Sequence, residues 1–145
     1  SHMRFITPPT SGFARLCFIL GALFISSHFT FAQLNGTYLI DQNGTGDFSS
    51  LNEAAEKLQQ DGVSGNVVLQ LASGIYTEKV IFTSIAGVSM DNRITLESKS
   101  GNPEDVTITY TSNSLDTSNY VIRIDEITGF TIRNLTLNTI DAKSK

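Results

Sequence analysis

In 145 residues there is one cysteine, two histidines and no tryptophan, so no disulfide framework can be built within the chain. Ten Lys and Arg against fourteen Asp and Glu give a net charge of −4, which supplies no basic face for a nucleic acid. The length suits one domain with a modest core.

Ser1-His2-Met3 reads as the remnant of a cloning site, which puts the native start at Met3. Arg4 and Arg15 flank the apolar run Leu16–Ile25. Its ten residues fall short of the about 20 that a membrane-spanning helix needs. Thr30-Phe31-Ala32 places small side chains at the last and third-from-last positions of a cleavage site. Residues 4–32 are therefore expected to be a signal peptide, cut after Ala32, and the product to be secreted or held at the cell surface. A short membrane anchor is the alternative. Cys17 lies at the start of the apolar run, not after it, which argues against a lipid anchor. Cleavage leaves residues 33–145, with eight basic against fourteen acidic side chains and a net charge of −6. It also removes Cys17, His2 and His28. The usual zinc sites, a Ser-His-Asp triad and a Cys-His dyad are then excluded. Carboxylates, Arg, Lys, Tyr, hydroxyls or an oxygen-held hard cation remain.

Residues 33–62 read as a cap. Thr37–Asp41 is a first strand and Asn43–Asp47 a turn. Ser50-Leu51-Asn52-Glu53 is a capping box, in which Ser50 accepts the Glu53 amide and Glu53 reaches back to the Ser50 amide. Leu51, Ala54, Ala55 and Leu58 make one apolar stripe, and Gly62 is a left-handed stop. The spacing predicts a helix over 50–60.

Residues 63–140 change period. Short β-prone runs start at Val67, Lys79, Ile94, Val106, Val121, Phe130 and Leu135, separated by Gly, Asn, Ser and Asp. Val67 to Ile94 and Ile94 to Val121 are both 27 residues; Val80 to Val106 is 26 and Val106 to Phe130 is 24. Two strand families recurring once per coil predict a mainly β solenoid of about three coils with an N-terminal capping α-helix. An antiparallel sandwich is the alternative. The expected columns set Val67 and Leu69 beneath Ile94 and Leu96, and those beneath Ile122 and Ile124. The second family sets Val80 and Phe82 beneath Val106 and Ile108, then Phe130 and Ile132. Nothing like the helix follows residues 130–137. An uncapped last coil is expected to self-associate, unless the chain is the front part of a longer protein.

"GDFSSLNEAAEKL", "SGIYTEKVIF", "ITLESKSGNPEDVTI" and "GFTIRNLTLNT" together resemble the first coils of right-handed parallel β-helix proteins of the pectinesterase and pectate-lyase-like superfamily. Gly46-Asp47-Phe48 matches that family's opening before a capping helix. Gly74, Tyr76, Glu78 and Val80 match its Gly-x-Tyr-x-Glu-x-Val strand, whose residues are structural. The Ala32-Gln33 junction is similar to those of secreted Bacteroidetes-type proteins. The resemblance covers roughly residues 36–139 and implies a right-handed parallel β-helix. The family's catalytic aspartates, Gln oxyanion donors and substrate-holding Arg lie in coils beyond the stretch that ends here at Asn138-Thr139, so no catalytic residue carries over.

The candidate sites are outward positions. Gln70, Glu97 and Asp125 are expected to stack on one face. Glu97 and Asp125 then lie about 4.8 Å apart and form a weak Ca²⁺ candidate, the only cofactor or metal site suggested. The pectate lyases are similar in binding Ca²⁺ on an outward face, and a solvated polar face is the alternative. Thr107 and Thr109, with Thr111, point one way, with Thr131 beside them. Such a row suits a sugar, or simply β-propensity. Tyr110 and Tyr120 lie near coil edges, where an aromatic ring can stack on a sugar or fill a turn. The expected function is a secreted or cell-surface module, non-catalytic as it stands, for adhesion or contact with a polysaccharide or surface glycan. The alternative is the front piece of a polysaccharide lyase or carbohydrate esterase with its active coils beyond residue 145.

Overall fold

The computed structural model describes residues 32–112 and 120–141. The cloning remnant, the apolar run and all but the last residue of the expected signal peptide lie outside them. Nine strands and one helix follow in order: β1 (Leu34–Ile40), α1 (Leu51–Asp61), β2 (Val63–Leu71), β3 (Gly74–Thr77), β4 (Val80–Thr83), β5 (Ile94–Ser98), β6 (Val106–Ser112), β7 (Ile122–Asp125), β8 (Phe130–Arg133) and β9 (Thr136–Asp141).

Every strand pairing among the described residues is parallel. The sheets are four-stranded β1-β2-β5-β8, three-stranded β3-β6-β9 and two-stranded β4-β7. From β2 onward the chain visits the four-, three- and two-stranded sheets in that order and then repeats the circuit. Parallel neighbours cannot be joined by a tight hairpin, so each strand meets its partner only after the chain has passed through the other sheets. The inward side chains of all three sheets form one apolar core, with Val67, Leu69, Ile94, Leu96, Phe82 and Ile108 fully buried. Each such side chain contributes about 1.5–3 kcal/mol by leaving water. The described residues from Ala32 onward form one compact unit.

The helix forms where the local chemistry asks for it. Ser50 is the N-cap, and its hydroxyl accepts the Glu53 amide at 3.0 Å. The return half of the capping box differs from expectation. Glu53 reaches Ser49, one residue earlier, accepting its amide at 2.8 Å and its hydroxyl at 2.7 Å. Leu51, Ala54, Ala55 and Leu58 are buried as expected. Gly62, at φ +73°, ends the helix with its amide on the Leu58 carbonyl at 2.8 Å. The stripe packs mainly on β4, and Gln59 Nε2 donates to the Ile81 carbonyl at 3.3 Å.

The register keeps one of the four expected column steps and corrects three; β6, with Val106 and Ile108, pairs with β9 and not with the Phe130 and Ile132 strand. Val67 and Leu69 do pair with Ile94 and Leu96. Ile94 and Leu96 then pair with Phe130 and Ile132, not with Ile122 and Ile124. Val80 and Phe82 pair with Ile122 and Ile124, not with Val106 and Ile108. The residue that upsets the counting is Tyr76. It lies in β3, a four-residue strand that pairs with β6 and sets up a third sheet.

Candidate functional site: the outward rows of the sheets

On the four-stranded sheet the outward residues of β2, β5 and β8 fall into line through the register Gln70, Glu97, Arg133. Gln70 Nε2 donates to Glu97 Oε1 at 3.5 Å, and Arg133 Nε donates to Glu97 Oε2 at 2.8 Å. Glu97 is the sheltered member, with its side chain 13% exposed against 57% for Arg133. A second outward row of Val68, Thr95 and Thr131 runs beside it. The result is a row whose amide, carboxylate and guanidinium groups follow one another at strand spacing of about 4.8 Å.

Asp125 is not part of this face. It ends β7 and pairs with Thr83 on the two-stranded sheet, so the expected stack of Glu97 on Asp125 does not form. Each carboxylate has its own arginine: Glu97 has Arg133, and Asp125 has Arg123 at 2.8 Å. The Asp125 hydrogen bond and charge raise the Arg123 pKa above its ordinary value. The Ca²⁺ candidate needed the two carboxylates as neighbours, and the register separates them. Among the described residues no group of three or more Asp, Glu, His or Cys is placed to hold a metal ion.

The three-stranded sheet carries the threonines. Thr107 lies between Ile75 and Thr136, and Thr109 between Thr77 and Asn138. Thr131 belongs to the four-stranded sheet instead, opposite Thr95. The row is less open than expected. The Thr109 hydroxyl is buried without a hydrogen-bond partner, and Thr136 donates to the Pro103 carbonyl at 2.7 Å. Tyr110 and Tyr120 do come together at one corner, around a cation. Lys79 Nζ lies 5.4 Å from the Tyr110 ring centre and 4.4 Å from that of Tyr120. Arg123 adds a third contact, 5.9 Å from Tyr120. These rings face the protein's own charges, a cation–π arrangement.

Arg133 is the member of the outward row that sequence reasoning missed. Its signal was present: Val67-Val68-Leu69-Gln70, Ile94-Thr95-Leu96-Glu97 and Phe130-Thr131-Ile132-Arg133 share one pattern, two inward apolar positions with a polar or charged side chain last.

The family motif residues have structural places. Tyr76 is 1% exposed, and its hydroxyl lies 2.7 Å from the Ala72 carbonyl and 3.1 Å from that of Ile40. Burial pushes its pKa up to about 12, helped by the nearby charge of Asp41. Glu78 accepts the Leu51 and Asn52 amides at the start of the helix. Gly46 lies where a Cβ would come 2.5 Å from the Leu39 carbonyl oxygen, so no larger residue fits that turn. No helix among the described residues is long and apolar enough to cross a membrane. No protein-family model, no characterised protein and no solved structure matches the chain.

Proposed function

We propose that residues 33–140 are the capped opening turns of a right-handed parallel β-helix. We further propose that the domain is an exported, non-catalytic surface module that contacts glycan through the outer face of its four-stranded sheet. Two features of the chain and one general rule support the fold reading. The sheets are visited cyclically and in parallel. Right-handed crossovers are the rule for such connections. The residues just after β4 and β7, Ser84 and Glu126, take the same left-handed bend at φ 51° and 54°, as expected of equivalent corners.

The Gln70–Glu97–Arg133 row carries the functional reading. Donors and acceptors repeated at strand spacing along the outer side of a sheet suit a ligand with hydroxyls along its length. Glu97 and Asp125 lie on different sheets, so the paired carboxylates that an acid–base mechanism would use are not formed here. The acidic balance of the chain keeps nucleic acid out of the reading.

A glycan array probed with the Ala32–Lys145 unit tests this. Retained glycans should lose about tenfold in affinity with Glu97→Gln or Arg133→Ala, a change of about 1.4 kcal/mol. Thr83→Ala, on the two-stranded sheet, should change nothing. Silence across neutral and acidic glycans, or binding indifferent to both row variants, would sink the proposal.

A further inference from the structure

Sulfur is scarce in this chain, and its placement gives oxidation one address. Met3, Cys17 and both histidines precede residue 32, and the chain has no tryptophan. From Ala32 onward Met90 is the one sulfur-bearing side chain, and so the one that a mild peroxide oxidises readily. It lies in the loop between β4 and β5 and is 56% exposed, which leaves it open to a dissolved oxidant.

The chain around Met90 is tied down. The Ser89 amide donates to the Asn92 carbonyl at 3.0 Å, and the Ser89 hydroxyl accepts the Asp91 and Asn92 amides at 3.2 and 3.1 Å. Arg93 is fixed in turn. Its amide donates to Asn66 Oδ1 at 2.8 Å, and its carbonyl accepts the Val67 amide at 2.8 Å. Its stem lies against the turn before β8, where a Cβ on Gly129 would come 3.4 Å from Arg93 Cγ. The guanidinium folds back onto Met90. Arg93 Nε donates to the Met90 carbonyl at 3.0 Å, and a terminal guanidinium nitrogen lies 3.7 Å from the Met90 sulfur. A thioether is a weak acceptor, so this last contact contributes little as it stands. A sulfoxide oxygen in the same place accepts far more strongly from a charged donor.

We propose that Met90 is a site of oxidation by peroxide, and that Arg93 takes up the oxygen it gains. A sulfur lone pair attacks one oxygen of hydrogen peroxide. The S–O bond forms as the O–O bond breaks, so sulfur is oxidised and the peroxide reduced. The departing hydroxide takes the proton from the transferred oxygen and leaves as water. Such a change ordinarily sets a polar group into an apolar contact and loosens a fold. Here the oxygen is added beside a pinned guanidinium, and the flexible Met side chain can turn it toward the donor. A charge-assisted hydrogen bond replaces a weak one, and the loop from Ser89 to Arg93 tightens. A methionine sulfoxide reductase reverses the step, which makes the site a renewable sink for oxidant. The inference is independent of glycan contact.

Peptide mapping of the full chain after treatment with hydrogen peroxide reads the first half. The tryptic peptide Val80–Arg93 should gain one oxygen atom at a rate close to that of free methionine in the same solution. A peptide left unchanged while the free methionine is consumed overturns the proposal. The second half is read on the folded, oxidised chain. The Arg93 Hε proton, followed by NMR, should exchange with water several-fold more slowly than in the reduced chain. The urea midpoint should rise on oxidation in the parent and not in Arg93→Ala. An unchanged exchange rate, or an equal midpoint shift in parent and variant, overturns the role of Arg93. The exchange measurement needs only the parent, so it decides even where Arg93→Ala does not fold. Met90→Leu should respond to peroxide in neither readout, and a response like the parent's would place the lesion elsewhere and overturn the assignment. Treatment with the reductase should restore both readouts, and a change that it leaves in place overturns the assignment as well.

Discussion

The Glu78 carboxylate holds the Leu51 amide at 3.0 Å across 27 residues of sequence. It also accepts the Asn52 amide at 3.1 Å and the Asn52 side-chain amide at 2.9 Å. A negative charge at the start of a helix meets unpaired N–H groups and the positive end of the helix dipole. Glu78→Ala should therefore cost about 1–3 kcal/mol, and Glu78→Gln, which keeps one acceptor, about 1 kcal/mol. Urea midpoints at unchanged slope provide the measurement. An alanine variant as stable as the parent would mean that the apolar stripe alone holds the helix.

Acid should loosen the same end. The Ser49 hydroxyl and amide hold Glu53 below its ordinary pKa of 4.5. For a carboxyl lowered by folding, the added stability is complete above the ordinary value and is lost as the pH falls through the folded value. Ser49→Ala should move the Glu53 titration, followed by NMR, back toward 4.5 and flatten the acid side of the stability profile. An unmoved titration would show that Ser49 has no hold on Glu53.

Alkali acts on Tyr76. Its phenol ionises ordinarily at 10.0 and in the fold only at about 12. The sign is the reverse of that for Glu53. Stability is complete below pH 10 and declines as the pH rises toward 12, because only the unfolded chain releases the proton early. Tyr76→Phe should remove that decline and cost about 0.5–1.5 kcal/mol at neutral pH through the lost hydrogen bond. Ultraviolet difference titration beside thermal melts checks both. A parent and variant with the same alkaline profile would put the titrating group elsewhere.

The register is testable through charge. A double-mutant cycle on Glu97 and Arg133 should give about 0.2–1 kcal/mol of coupling, small because Arg133 is largely solvated. The same cycle on Glu97 and Asp125 should give none. Measurable coupling in the second cycle would mean that β7, not β8, lies over β5.

The helix was legible to the residue pair because its signals are local: a serine cap, a glutamate three residues on, four small or apolar positions at helical spacing and a glycine stop. The β2–β5 pairing was legible from one clean repeat of 27 residues. The next turn was not. β5 to β8 spans 36 residues and β4 to β7 spans 42, because loops of different length intervene and spacing alone cannot find the partner. β3 hid behind its brevity. The family resemblance read Gly74 to Val80 as one strand, whereas the structure breaks it into β3 and β4 on different sheets; with Gly74 first and Ile75 65% exposed, periodicity alone does not mark β3. Counting two strand families where there are three placed Asp125 where Arg133 belongs. Side-chain pattern, apolar-x-apolar-polar, was the better guide than distance along the chain.

The seals on the first layer impose an order of events. Leu39 and Asp47 close the edge of β1 locally, whereas Gln42 reaches Ile75, Glu78 reaches Leu51 and Gln59 reaches Ile81, so these three longer seals join residues 42–59 to residues 75–81. The lid therefore cannot close on a finished first turn; it closes only when β3 and β4 have been laid down. Residues 34–83 become the smallest block in which all these partners are present, and every later strand adds onto a neighbour already in place. Pulsed hydrogen exchange during refolding should show the Leu51 and Val80 amides gaining protection together and ahead of Phe130. Simultaneous protection of all three would exclude such an order. In a chain made from its N-terminus, the closed block leaves the ribosome first, and the sticky edge is always the one still being extended.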